Sequence, residues 1–305
     1  MRIFRELEAG ANGSDSSIME EMSRLRANLA GVKSIFALAS ARGGAGKSAL
    51  TVNIAAVLAL AGRKVGVVDA DLNSPSLLAM LGMKPVRRVM AGDGMEPGAG
   101  PLGLRVAASN LIPDGEPPPV SFVDIDDQAA KLNGVGAAEI GYLATLRRLL
   151  GRTRFGALDL MLVDLAPGIE ALYRFARIAP RANAIIVTHT SAISSRATKG
   201  AIELAGEEGI PIIGIVENMV GFNCDGCHSV RPLTPQGSVA SLARESGVTV
   251  LERLPFDPRF AETSDRGVLF VREYADTPLA KQIAALAHSI DRALAAQHSA
   301  EPASA

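Results

Sequence analysis

The stretch "SIFALASARGGAGKSALTVNIAAVLALAG", Ser34–Gly62, decides how this chain folds. Its opening residues form a short apolar run, as expected of a buried strand, and its closing residues have the length and composition of a helix. Between them lies "ARGGAGKS" (41–48), whose Gly46-Lys47-Ser48 completes the pattern G-x-x-x-x-G-K-[ST]. The pattern's first position is Ala41 rather than glycine. Glycines 43, 44 and 46 let successive backbone N–H groups turn inward on a polyphosphate, with a helix N-terminus behind them. Lys47 then reaches the β- and γ-phosphates, and the Ser48 hydroxyl is placed to ligate Mg2+. The bland alternative is an ordinary glycine-rich turn. A strand before the loop and a helix after it are the context that phosphate binding requires.

Outward from this unit, strands and helices alternate. Strands are expected at 34–40, 64–71, 158–168, 182–190, 211–219 and, more weakly, over "TVLERLP" (249–255). Helices are expected near 138–150, 194–208, 235–246 and 278–297. Lys84–Pro119 is rich in Gly and Pro and reads as loops around one short strand, "LRVAAS" (104–109). Continuously hydrophobic strands alternating with helices mean an α/β fold, a mostly parallel sheet with helices on both faces. Its ligands gather at the carboxyl ends of the strands. The expected organisation is an N-terminal tail and helix over 1–33, a single domain over 34–297 and a disordered tail over 298–305. The helix of the first segment carries Ile18, Met22, Leu25 and Leu29 on one face.

Two acids stand where a magnesium-dependent nucleotide hydrolase needs them. Asp164 ends the apolar strand "LMLVD" and suits Mg2+, held directly or through water. Asp71, in "DADLNSPS", lies just past the second strand and suits orientation of an attacking water, with Asp69 beside it. Each also suits a helix cap or turn. His189 ends a strand at the same edge and reads as structural.

Composition narrows the class. Of 305 residues, 48% are hydrophobic, so a large core is expected; the net charge is −1. That near-neutral balance, 4% aromatics and no Trp argue against a nucleic-acid partner. The opening "MRIFRELEAGANGSDSS" lacks the apolar run of a signal peptide, and no stretch reaches the length of a membrane span. The expectation is a cytoplasmic protein without a membrane partner.

Read together, "ASARGGAGKS", "VGVVDADLNSPSLLAMLGM", "LMLVDLAPG", "GIPIIGIVENMVGFNCDGC" and "LPFDPRFAETSDRG" resemble the Mrp/ApbC-type iron–sulfur carrier ATPases. These belong to the deviant Walker A, SIMIBI-like class of P-loop NTPases that includes MinD and ParA. The resemblance spans about Val32 to Ile290. It implies a homodimer that binds ATP and Mg2+ through Gly43, Gly44, Ala45, Gly46, Lys47, Ser48 and Ala49, hydrolyses ATP slowly, and passes a 4Fe–4S cluster to apo-proteins. Matched position by position, Lys47 and Ser48 are the phosphate and Mg2+ residues, Asp71 the switch I acid and Asp164 the switch II acid. Asn218 matches the residue that recognises adenine, and Pro255 falls in the loop that covers the base. Cys224 and Cys227 match the cluster ligands. Three departures stand out. The family's signature lysine is Arg42 here, which keeps the charge with a different reach. The switch II segment "DLPPGTGD" has become "DLAPGIEA", and "TTPQD" has become "THTSA". A MinD/ParA-like positioning ATPase and a slow nucleotide-dependent regulator are the alternative readings.

Cys224 and Cys227, in "NCDGCH" (223–228), are the only cysteines in the chain. Two thiolates from one short loop supply half of a four-sulfur site, and a second copy across a two-fold axis completes it. Zinc fits the same four thiolates. A dithiol redox pair, covalent haem at C-x-x-C-H and no function at all also remain open on spacing alone.

Overall fold

The computed structural model describes residues 15–84, 94–111, 135–223, 230–233 and 238–300. The expected N-terminal tail, the "PDGEPPP" segment (113–119), residues 301–305 and both cysteines lie outside the described residues.

Helix α1 (Asp15–Ala30) leads into β1 (Val32–Ala39), α2 (Lys47–Leu60), β2 (Val65–Ala70) and the single turn α3 (Leu77–Met80). After β3 (Gly98–Ala99) and β4 (Arg105–Ala108) come α4 (Val135–Arg152), β5 (Leu158–Leu165), α5 (Ile169–Ile178), β6 (Ala182–His189) and α6 (Ala192–Glu207). The chain closes with β7 (Ile212–Asn223), β8 (Val230–Pro232), α7 (Ser238–Ser246), β9 (Val250–Phe256), α8 (Pro258–Asp265), α9 (Phe270–Glu273) and α10 (Pro278–Ala300). The nine strands form one sheet in the order β3-β4-β2-β5-β1-β6-β7-β8, with β9 also paired to β7. Strands β4, β2, β5, β1, β6, β7 and β9 run parallel; β3 and β8 pair antiparallel with their neighbours.

Alternation along β1 shows why the sheet is covered twice. Phe36 and Leu38 join a cluster built from α2 and α10, including Leu50, Ile54, Ile283 and Ile290. Ile35, Ala37 and Ala39 point to the other face, against Leu146 and Leu150 of α4, Leu172 and Phe175 of α5, and Ile202 of α6. Each face removes its own apolar row from water, which is the main favourable term in folding. Helix α2 is buried nearly all round because α10 closes over it, and its Asn53 is satisfied twice. Asn53 Nδ2 donates to the Ala49 carbonyl at 2.8 Å, and its Oδ1 accepts from the Val271 N–H at 3.1 Å. Leu25 of α1 is wholly buried in the α4 face of the core.

The expected long elements fall where periodicity places them, and α5 (Ile169–Ile178) stands in addition to the helices expected. The differences are local. Helix α10 runs three residues past its expected end. Helix α8 opens on Asp257, whose carboxylate caps the Arg259 N–H at 3.0 Å, followed by Pro258 at the first helical position. Strand β7 runs four residues past its expected end. Met219 takes a left-handed φ of 59°, the pairing with β9 skips between Asn218 and Phe222, and the strand continues into antiparallel pairing with β8. Asn223 pairs with Val230, so residues 224–229, which contain Cys224 and Cys227, join two hydrogen-bonded strand ends.

Candidate functional site

The phosphate loop fills the gap between the end of β1 and the start of α2, at the carboxyl edge of the sheet. Gly44 and Gly46 hold φ values of 77° and 84°, a left-handed backbone that side chains disfavour. Gly46 is also the residue from which α2 starts. Lys47 is 7% exposed, and its Nζ donates to Ser40 Oγ at 2.9 Å; that hydroxyl donates in turn to the Arg42 carbonyl at 2.7 Å. Burial holds the lysine's pKa below its ordinary value, with Asp164 and Asp71 pulling it back up. Arg42 is exposed on the loop.

Strands β2 and β5 bring two carboxylates to the same rung, because Asp69 is the register partner of Asp164. Asp164 is 1% exposed, and neither of its oxygens has a hydrogen-bond partner among the described residues. Burial pushes its pKa up to about 7; the nearby Ser48 hydroxyl pulls it down, and the charge of Asp69 adds to the rise. A buried carboxylate without a partner is unfavourable unless a cation or donor meets it. Beside the Ser48 hydroxyl it forms the all-oxygen donor set that a hard cation such as Mg2+ takes. The residues therefore fit that ion.

Asp69 has a different task. Its oxygens accept from the backbone N–H groups of Asp71 at 3.2 Å, Ser76 at 2.8 Å and Leu77 at 3.0 Å. It thus ties down the loop that carries Asp71, although burial lifts its pKa to about 6. Asp71 Oδ1 accepts from the Ser74 N–H at 3.2 Å, so the turn role foreseen for it is present alongside its position at the site. Tyr142 of α4 donates to the Ala70 carbonyl at 3.0 Å, and Arg174 of α5 lies over its ring at 5.9 Å. The Gly168 N–H, just before α5, donates to the Ser40 carbonyl at 2.9 Å. The Gly168 bond joins the segment after Asp164 to the phosphate loop, and the Tyr142 bond ties the end of β2 to α4.

Asn218 stands on β7 with both ends of its amide engaged. Nδ2 donates to the Ala45 carbonyl at 2.8 Å, and Oδ1 accepts from the Met219 N–H at 3.0 Å. Pro255 is not in a loop, as the resemblance implied; it is buried in β9, beside the register partner of Asn218, Leu254. The strand continues because β9 keeps pairing with β7 as far as Phe256, which meets Phe222. His189 also belongs to the site, since its Nε2 lies 3.2 Å from the Gly44 carbonyl. The structure therefore gathers Lys47, Ser48, Asp71, Asp164, Asn218 and His189 around one loop. Sequence reasoning passed over the anchoring role of Asp69. A buried acid at the end of a strand, followed by the turn residues Asn73, Ser74 and Pro75, was the signal available.

Among the described residues no helix is long and apolar enough to cross a membrane. Comparison with known proteins agrees with the geometry. An iron–sulfur cluster carrier protein from Methanocaldococcus jannaschii is 34% identical over 257 residues, covering 83% of each chain. A solved nucleotide-binding protein from Archaeoglobus fulgidus, in complex with ADP, superposes with a TM-score of 0.67 at 27% identity, over 86% of this chain and 96% of that one. The septum site-determining protein MinD from Pyrococcus horikoshii, complexed with Mg-ADP, shares the fold with a TM-score of 0.57 at 21% identity, over 85% and 96%. The ParA-type model described as NUBPL iron-transfer P-loop NTPase matches residues 31–291. The chain belongs to the NUBPL-type iron-transfer family of P-loop NTPases.

Proposed function

We propose that this protein is an ATP-binding and ATP-hydrolysing carrier that holds a 4Fe–4S cluster between two identical subunits and transfers it to apo-proteins. In this reading the chain acts as one P-loop NTPase domain. The observation that carries the reading is strand β7. One end of its amide-bearing segment, Asn218, is bonded to the phosphate loop, and the strand then runs directly into the segment of Cys224 and Cys227. A nucleotide-dependent shift of the loop has a short route to the cysteines, through one hydrogen bond and the strand. The name of the 34% identical archaeal relative supports the same cargo.

Hydrolysis is in-line displacement. The oxygen of a water bonds to the γ-phosphorus as the bond to the β,γ-bridging oxygen breaks, giving ADP and phosphate. Asp71 orients the water. Lys47 and the loop N–H groups hold the charge that builds on the phosphate oxygens, and Arg42 acts on the partner subunit's nucleotide. Mg2+, held by Ser48 and Asp164, neutralises phosphate charge when bound. Displacement of the Lys47 Nζ from Ser40 is the rearrangement that frees the ammonium for phosphate. Turnover is slow, in keeping with Arg42 in place of the family's lysine and with the altered switch II segment "DLAPGIEA".

The cluster is cargo, and its four thiolates come from the Cys224 and Cys227 of both chains. Anaerobic reconstitution with iron and sulfide should give about two irons per chain and a broad absorbance near 400 nm. The double variant Cys224→Ala/Cys227→Ala should take up none. Equal iron in the two proteins would end the carrier reading, and zinc in place of iron on protein purified without oxygen would replace it.

A further inference from the structure

We propose that His189 and Asn218 form a two-point brace behind the phosphate loop, and that His189 is a positioning residue for the triphosphate. The proposal deepens the reading of this site as one for ATP and rests on it. A loop whose N–H groups converge on phosphate turns carbonyls outward, and those carbonyls need donors. The Gly44 and Ala45 carbonyls find them in His189 Nε2 at 3.2 Å and Asn218 Nδ2 at 2.8 Å.

Both donors sit on rigid supports. His189, the last residue of β6, and Asn218, midway along β7, are register partners, so one rung of the sheet carries both. The orientation of each is determined. Carbonyl oxygen only accepts, so His189 Nε2 carries a hydrogen in this contact. Asn218 Oδ1 is held by the Met219 N–H at 3.0 Å, and this turns Nδ2 toward the loop. The fit is close. A Cβ on Gly46 would lie 2.5 Å from Asn218 Nδ2, so the loop rests against the amide at a position that glycine alone leaves open.

The brace has a physical purpose. Gly43, Gly44 and Gly46 make the loop adaptable, and ordering glycine carries a large entropic penalty. Two bonds to a fixed strand rung hold the loop near its binding shape before nucleotide arrives, which reduces that penalty at the moment of binding. Because the bonds act on backbone behind the phosphates, their effect falls on the triphosphate and is indifferent to the base.

The test compares wild type, His189→Phe and His189→Gln in binding of Mg-ATP and of magnesium tripolyphosphate. Phe keeps a planar ring without a donor; Gln keeps an N–H. Loss of one neutral hydrogen bond should weaken both ligands by the same factor, about five-fold. His189→Gln should recover most of it, and steady-state ATPase should show a raised KM with kcat unchanged. Thermal midpoints without nucleotide are measured alongside; if His189→Phe does not fold, His189→Gln against wild type and His189→Ala carries the comparison. Unchanged affinity in His189→Phe overturns the brace. So does a loss seen with ATP and not with tripolyphosphate, or a His189→Gln as weak as His189→Phe. Failure of wild type to bind Mg-ATP is a different result, and it removes the nucleotide reading itself.

Discussion

Asp164 carries the sharpest tension between stability and function at the scale of single residues. Its carboxylate is buried, and its oxygens lack hydrogen-bond partners among the described residues. The group's pKa is raised from 3.8 to about 7. Between those values the folded state retains a proton that the unfolded state has released, so the contribution of this group to stability falls as pH rises from about 4 to about 7. Above that window the full penalty of a buried charge applies. The advantage of Asp164→Asn over wild type in thermal stability without nucleotide should therefore grow between pH 5 and pH 8, by a few degrees or on the order of 1 kcal/mol or more. The same variant should lose the stabilisation that Mg-ATP gives wild type. An identical offset at both pH values would show that titration of Asp164 is not its source. The position of this residue was legible because it ends an apolar strand. The anchoring bonds of Asp69 were not, because its three partners are backbone N–H groups whose placement depends on how residues 71–77 turn. The contact of His189 was hidden for a related reason, since only the pairing of β6 with β1, the strand that runs into the loop, sets it there.

At the scale of elements, short helices are held by contacts that no local pattern announces. Helix α3 is a single turn after the Asp69 loop, and Gly82 just beyond it meets Gly267 just beyond α8. A Cβ on Gly82 would lie 2.6 Å from the Gly267 carbonyl oxygen, and a Cβ on Gly267 would lie 2.6 Å from the Gly82 Cα. Both glycines have φ near 65°. Gly267→Ala thus meets strain and a backbone clash together and should cost about 2–4 kcal/mol in urea unfolding. A loss below about 0.5 kcal/mol would mean that the two turns move apart freely. Helix α1 makes a second case. Its apolar spacing was readable, but not whether it belongs to the core. Leu25 is fully buried there, so Leu25→Ala should cost about 2–5 kcal/mol. A helix that merely lay on the surface would lose less than about 1 kcal/mol. The long elements were legible because periodicity and length survive any packing, whereas α3, α9 and the extension of β7 past Met219 are products of tertiary contact.

For the whole molecule, parallel strands place every functional loop at one edge of the sheet, and the order β2-β5-β1-β6-β7 sets the acids on one side of the phosphate loop and Asn218 on the other. The gathering of loops at one edge follows from the alternation of strands and helices in the sequence; the strand order does not. What the alternation leaves out is the proposed second subunit: one chain has two cysteines, and the proposed 4Fe–4S cargo takes four thiolates. The most direct measurement is native mass spectrometry of reconstituted protein kept free of oxygen. The account predicts a species of two chains bearing one 4Fe–4S unit, absent in Cys224→Ala/Cys227→Ala. A cluster carried by a single chain, or two-chain species bearing the same iron with and without the cysteines, would contradict it.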